Sequence, residues 1–376
     1  VCDLLASTDR GVLVAGPAPP AQRQARDAVF DLARRTGWPL CAEATSQLRL
    51  ARATGVPRFD AFDWVWRSEK GRAPLRPEAV IQLGGAPTSA GYERLIAEAA
   101  IRRVVVAPYG WPDPASTAEA LACADAGPMA SAVLESMGPD AARGEGAWAR
   151  RLARLDGAVW GAVDKVAGAS EGALDEAGVA GEVARACDGR AALMVGNSLP
   201  VRHLDAWVRG GAADVEVVSQ RGASGIDGLV SGAAGYAAAS RKPTVLLVGD
   251  VSFLHDLGGL AVARRVDVSL VLVVINNGGG RIFEQLPLGD REDLAAHLGH
   301  FTTPHAASLR HAAGTFGHAY ARPEDRAALR EAIGSALGRG GTTLVEAVVR
   351  PHGAAEQRRR VHTEVERVLG EHGEQP

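Results

Sequence analysis

The sequence predicts two α/β domains, each a doubly wound, mostly parallel sheet with helices packed on it. Three observations carry this. Short runs of aliphatic and β-branched residues alternate with helical stretches in two successive series, the rhythm of parallel sheets with crossover helices. A long Ala-, Gly- and charge-rich stretch from about Ser116 to Asp175, mostly helical and without a convincing strand, separates the two series. The runs of the second series end on glycine or on polar residues, at the sheet edge where such folds collect ligands.

The first series opens with the apolar run Gly11 to Gly16, closed by Gly and Pro and followed by a helical stretch from Gln22 to Arg35. It continues through Pro39 to Ala44, Ala79 to Leu83, the helical Tyr92 to Arg102, and Val104 to Ala107 before a Pro-rich turn. The domain boundary is expected near Gly157, giving domains of residues 1–157 and 158–376. The second series has runs at Ala191 to Val195, Val215 to Val218, Thr244 to Val248, Leu270 to Ile275 and Thr343 to Val349, with a helix from Phe253 to Arg264 between the third and fourth. No repeat at solenoid spacing and no low-complexity tract interrupts them, and Gly370 to Pro376 read as a frayed tail.

Composition narrows the function classes. With 376 residues, 47% hydrophobic and 23% charged, the chain reads as ordinary globular protein with room for two cores. Forty-one Lys and Arg against 44 Asp and Glu give a net charge of -3 with no long basic block, which counts against nucleic-acid binding. Cys2, Cys41, Cys123 and Cys187 are far apart, with no C-x-x-C pair, and read as thiols of a reducing cytoplasm rather than as zinc ligands or disulfides. The longest apolar runs, such as Ser269 to Ile275, are too short to span a bilayer. The chain starts at Val1 rather than Met, with a strand-like segment soon after, so it is expected to be cut from something longer.

The chemistry sits at the ends of two neighbouring runs. Gly249-Asp250 closes one and Asn276-Asn277 the next, which sets a carboxylate and an amide oxygen side by side. Together with a backbone carbonyl these are hard oxygen ligands, suited to a small octahedral cation whose other positions go to phosphate oxygens and water. The glycines of Gly278-Gly279-Gly280 allow close backbone approach, and helix N-termini offer N–H groups to phosphate. Arg281 either adds charge there or faces solvent.

This arrangement resembles the fingerprint of thiamine-diphosphate enzymes of the pyruvate-decarboxylase-like superfamily, although Val251 stands where the general pattern often has a second Gly. Gly-Asp-Val-Ser-Phe-Leu-His-Asp-Leu at 249–257, Asn-Asn-Gly-Gly-Gly-Arg-Ile-Phe at 276–283 and Arg-Gly-Ala-Ser-Gly-Ile-Asp-Gly at 221–228 narrow the resemblance. So do Gly-Asn-Ser-Leu-Pro-Val-Arg at 196–202 and Thr-Pro-His at 303–305. Together they resemble the 2-succinyl-5-enolpyruvyl-6-hydroxy-3-cyclohexene-1-carboxylate synthases of menaquinone biosynthesis over most of residues 190–350; the N-terminal section is similar to that family's middle domain more loosely.

The resemblance implies the two-domain thiamine-diphosphate-enzyme fold, a middle domain followed by a diphosphate-binding domain, and a transferase. Its cofactors would be thiamine diphosphate and Mg2+ or Mn2+, with metal held by Asp250, the Asn277 side chain and the Gly279 carbonyl. Its substrates would be 2-oxoglutarate and isochorismate, their carboxylates met by Arg202, Arg221 and Ser198. Asn197 would join Ser198 near diphosphate or substrate, Gly249 would flank the cofactor, Ile226 would prop it in its bent shape, and Ile282, Phe283 and Leu286 would wall the thiazolium. It further implies a cytoplasmic homodimer or homotetramer, and a glutamate on a separate N-terminal pyrimidine-binding domain or subunit for which no matching segment is found. The chain alone is therefore expected to hold half a site and to be inactive.

Each residue also has a blander reading. Asp250 alone could be a helix N-cap; Arg202 and Arg221, surface ion-pair partners; His255 and His305, structural histidines; Trp64, Trp66 and Trp207, core or interface residues; Glu284, a surface residue. The alternatives at the level of function are another thiamine-diphosphate enzyme, of the acetolactate synthase or 2-oxo acid decarboxylase type, or a non-catalytic binding subunit. The absence of a G-x-G-x-x-G after a strand and of a P-loop counts against a dinucleotide or P-loop protein.

Overall fold

In a computed structural model of the chain, residues 1–98, 100–138, 144–169 and 172–372 are described. They form two compact units: one of Val1–Asp164, Arg209–Ala212 and the residues from Val361 onward, the other of Lys165–Val208 and Ala213–Arg360. The passage from the first to the second falls inside the helix Ala147–Gly168, at Asp164 rather than near Gly157. Both units are α/β, with all-parallel sheets.

In the first unit, β1 (Gly11–Ala15), β2 (Leu40–Ala42), β3 (Ala79–Leu83), β4 (Arg102–Ala107) and β5 (Ala120–Cys123) pair in the order β2-β1-β3-β4-β5. Every residue of β1, β2 and β3 is buried, as expected when helices cover both faces of a parallel sheet. β5 falls where no strand was expected. Its sequence Ala-Leu-Ala-Cys lacks β-branched residues, and it is a half-exposed edge, so neither propensity nor a buried apolar run announces it. The helix expected from Tyr92 to Arg102 spans Ala90–Glu98, because Arg102 already belongs to β4. The stretch from Gln22 starts as a 3₁₀ turn, Pro20–Ala25, and becomes α-helix over Arg26–Thr36; Gly37, at φ 70°, closes it with its N–H on the Ala33 carbonyl. Trp64 and Trp66 are core residues.

The second unit carries β6 (Ala192–Val195), β7 (Val217–Ser219), β8 (Thr244–Gly249), β9 (Leu270–Asn276), β10 (Ala319–Ala321) and β11 (Thr342–Val348), in the order β10-β11-β9-β8-β6-β7. The five expected runs are all strands, shifted by one or two residues at their ends. β10 is a three-residue edge too short to signal itself. The chain leaves β6 toward β7 on one side and returns to β8 on the other, so β6 and β8 flank the topological switch point where doubly wound sheets bind ligands. Gly249 pairs with Ile275, and Val348 with Asn276, which levels the carboxyl ends of β8, β9 and β11. The expected helix from Phe253 to Arg264 is two short ones, Asp250–His255 and Gly259–Ala263, separated by a turn at residues 256–258.

The last helix runs Gly353–His372, beyond the start of the expected frayed tail at Gly370; residues 373–376 of that expectation lie outside the described residues. All four cysteines are free thiols, Cys41 and Cys187 buried and Cys2 and Cys123 exposed. Among the described residues no helix is long and apolar enough to cross a membrane.

Candidate active site

A cavity of about 40 Å³ opens at the carboxyl ends of β6, β8 and β9. Ser198 and Leu199 line it from the end of β6, Gly249 and Asp250 from β8, and Asn277 and Gly279 from β9, with Glu176 and His203 also in its wall. The five sequence-selected residues Ser198, Gly249, Asp250, Asn277 and Gly279 are thus brought to one place by strand order alone.

Asp250 is 2% exposed. Its Oδ1 accepts the Val251 N–H at 2.7 Å and its Oδ2 the Gly279 N–H at 2.9 Å, while His305 Nε2 stands 3.2 Å from Oδ2. Burial pushes the carboxyl pKa up, and the two backbone N–H groups with His305 only partly offset it. The negative form is undercompensated, and an adjacent cation would supply what is lacking. Asn277 is 7% exposed and donates from Nδ2 to Glu176 Oε1 at 2.8 Å. A carboxylate can only accept, so this bond assigns the two ends of the amide. Asn277 Oδ1 is buried with no hydrogen-bond partner, a costly state for a carbonyl oxygen lining a cavity beside a buried carboxylate.

The two glycines of the motif are glycine for different reasons. Gly279 has φ 142°, and a Cβ there would lie 2.4 Å from the Thr302 carbonyl oxygen. The protein's own backbone demands glycine at that position. Gly249 has φ -81°, open to any residue, and a Cβ there would meet nothing within 4 Å. Nothing in the protein excludes a side chain at Gly249, but the space it would fill belongs to the cavity. The carboxylate, the orphaned amide oxygen and the Gly279 turn form a hard-oxygen donor set that fits Mg2+ or Mn2+ completed by phosphate oxygens. Among the described residues no group of three or more His, Cys, Asp or Glu is placed to hold a metal.

Ser198, between β6 and the helix Leu199–Trp207, is held at φ 68° and ψ -130°, a region that L-residues rarely adopt. Arg202 Nη1 donates to the Ser198 carbonyl and Arg221 Nη1 to Asn197 Oδ1, both at 2.7 Å. Asn197, only 1% exposed, also donates to the Gln220 and Gly225 carbonyls, so its amide holds the loop after β7 instead of lining the cavity. Ile226 is half-buried in that loop. Ile282 and Phe283 are half-buried in the 3₁₀ turn Arg281–Gln285, with Phe283 packed on Phe301 at 5.7 Å between centroids, and Leu286 is exposed at 43%. None of Ile226, Ile282, Phe283 and Leu286 lines this cavity.

One expectation is corrected and one alternative is decided. Glu284 is not a surface residue: its side chain is 9% exposed and pairs with Arg281 at 2.7 Å and His352 at 3.1 Å. Nor does Arg281 face solvent; its guanidinium also donates to the Asn277 and Gly278 carbonyls and so braces the glycine turn. His305, weighed as a structural histidine, stands against Asp250. It is delivered there by Thr303, which closes the helix Leu298–Thr302 in the left-handed region at φ 42°. Glu176 and His203 were missed. Glu176 is 101 residues from Asn277, and neither Glu176 nor His203 belongs to a motif read from the sequence.

Residues 216–347 match the family described as Thiamine pyrophosphate enzyme, C-terminal TPP binding domain. Over 99% of its length the chain is 41% identical to the 2-succinyl-5-enolpyruvyl-6-hydroxy-3-cyclohexene-1-carboxylate synthase of Sorangium cellulosum, covering 62% of that protein. The similarity to these synthases runs along nearly the whole chain. The synthases of that name from Myxococcus xanthus and Halobacterium salinarum are 36% and 34% identical over 98% and 96% of the chain, which covers 61% and 59% of them. The chain thus spans about three-fifths of the length of the curated relatives it matches. The matched residues carry the β8 and β9 side of the cavity, Asp250, Asn277 and Gly279 included, while Glu176, Ser198 and His203 lie before them.

Proposed function

We propose that the chain supplies the metal- and diphosphate-binding half of a synthase that decarboxylates 2-oxoglutarate and adds the four-carbon succinyl unit to isochorismate. The observation that carries this reading is the orphaned Asn277 Oδ1 beside the undercompensated Asp250 at the sheet's switch point. The match to the thiamine pyrophosphate-binding domain and the similarity to the synthases support the choice of cofactor and substrates. Asp250, Asn277 Oδ1 and the Gly279 carbonyl are assigned to Mg2+ or Mn2+. Ser198 and the N-terminus of the helix Leu199–Trp207 are assigned to diphosphate oxygens, where N–H groups and the helix dipole favour negative charge. Bound thiamine diphosphate would supply the electron sink for loss of CO2.

Arg202 and Arg221 are assigned to the substrate carboxylates, for which a planar guanidinium is the matching partner. Their bonds to Ser198 and Asn197 fix where each guanidinium sits. Ile226 is assigned to propping the cofactor, and Ile282, Phe283 and Leu286 to a water-excluding surface beside it. The group that bonds the aminopyrimidine we place in the roughly two-fifths of the relatives' length that the chain does not match, contributed by a longer form of this polypeptide or by a partner subunit in a homo-oligomer.

Titration calorimetry of the chain with thiamine diphosphate, with and without Mg2+, tests the reading. Binding should require Mg2+ and be lost in Asp250→Ala at unchanged circular dichroism. Binding that ignores both Mg2+ and the substitution would overturn it.

A further inference from the structure

Glu176 and His203 lie outside every motif read from the sequence, yet they form the rear of the metal site. Glu176 is 2% and His203 4% exposed, and Glu176 Oε2 meets His203 Nε2. The other carboxylate oxygen, Oε1, receives the Asn277 N–H at 2.8 Å. Burying a carboxylate is expensive unless it is paired and hydrogen-bonded; here Oε1 takes the Asn277 hydrogen bond, while Oε2 lies in ion-pair contact with His203 and accepts no hydrogen bond. A primary amide can present either its oxygen or its NH2 to a neighbour, and only the oxygen can ligate a cation.

We propose that Glu176, with His203 against its other oxygen, is a positioning residue that fixes Asn277 with its oxygen toward the metal and so sets the site's affinity for the cation. This rests on the assignment of Asn277 to Mg2+ or Mn2+ made above. Acceptor geometry, not charge, is the operative property: any group that accepts the Asn277 N–H from the position of Glu176 preserves the orientation. Outer-shell partners of metal ligands commonly account for about 10- to 100-fold in metal affinity.

The experiment is Mn2+ binding to the full chain with thiamine diphosphate, followed by the electron paramagnetic resonance of free and bound Mn2+, with thermal unfolding as the folding control. Glu176→Leu, and Glu176→Ala where leucine is not tolerated, should weaken Mn2+ binding about 10- to 100-fold while the chain stays folded. Glu176→Gln keeps a carbonyl acceptor for Asn277, so its affinity should stay within about threefold of wild type. Unchanged Mn2+ affinity in a folded leucine or alanine variant would overturn the proposal and leave the metal assignment standing. A loss in Glu176→Gln as large as in the apolar variants would also overturn it, by making the charge responsible. Should neither apolar variant fold, the glutamine result decides alone. No Mn2+ bound by wild type would bring down the metal assignment, and this inference with it.

Discussion

The contrast between Gly249 and Gly279 separates what the fold needs from what the ligand needs. Replace each with alanine. At Gly279 the new Cβ lies 2.4 Å from the Thr302 carbonyl, and φ 142° suits glycine alone. Backbone strain of about 1–3 kcal/mol adds to about 1–3 kcal/mol of overpacking, because the obstructing atom is backbone and cannot swing aside. For a unit of this size that lowers the unfolding midpoint by about 5–20 °C. At Gly249 the φ of -81° already suits alanine and the Cβ has open space, so stability should hold or rise by up to about 1 kcal/mol through the unfolded chain. The same methyl group intrudes on the cavity and should abolish Mg2+-dependent binding of thiamine diphosphate. Calorimetric unfolding and titration calorimetry on both variants give the two readouts. Two results would refute the reasoning: a Gly279→Ala midpoint within 2 °C of wild type, or a Gly249→Ala chain that binds cofactor as wild type does.

Three further predictions concern other parts of the molecule. Asp156, whose Oδ1 accepts the Ala61 N–H, has its carboxyl pushed up to about 7 by burial and by Asp60, against the pull of that N–H, Arg49 and Arg209. The neutral form is favoured in the fold, so its contribution is present below about pH 4 and lost as pH rises through about 7, amounting to up to roughly 4 kcal/mol. Asp156→Asn should therefore unfold at a higher temperature than wild type at pH 8 and at the same temperature at pH 4; a pH-independent difference would count against it. Ser198→Gly should relieve about 1–3 kcal/mol of strain, offset by about 0.5–1 kcal/mol of glycine entropy, while the lost hydroxyl weakens cofactor binding. A fall in stability above about 1 kcal/mol in thermal unfolding would show that the backbone there is unstrained. Phe283→Ser, in the catalytically competent assembly, should lower kcat more than it changes Mn2+ affinity, and the reverse order would remove Phe283 from the reaction surface.

How legible each part was follows from where its signal lies. β8 and β9 are continuous apolar runs ending on Gly-Asp and Asn-Asn, so the strands, their ends and Asp250 were readable together. β5 and β10 are edges without a periodic or β-branched signature and could not be seen. The helix expected to end at Arg35 ends one residue later, at Thr36, whereas the pairing of Arg102 into β4 is a tertiary event that local sequence does not show. Glu284 stands next to the motif and looked superficial because local sequence does not reveal that Arg281 and His352 converge on it.

The tandem asparagines show most clearly what sequence alone withholds. Two identical amides stand at the end of β9, Asn276 as its last residue and Asn277 just beyond it, and nothing in their order says which one faces the ligand. The structure separates them through two glutamates remote in sequence. Asn276 gives its Nδ2 to Glu346, which also takes the Tyr320 hydroxyl, and its Oδ1 accepts the Gly278 N–H at 3.2 Å. Both ends of that amide are consumed in shaping the turn. Asn277 gives its Nδ2 to Glu176 and keeps an oxygen with no partner. Of the two, only Asn277 has an oxygen left for a cation, and the cause is the placement of one buried carboxylate behind each amide. Aspartate at 277 would set a second carboxylate against Glu176, and aspartate at 276 would do the same against Glu346. Asparagine at both positions avoids that repulsion, for one reason of chemistry and two separate purposes.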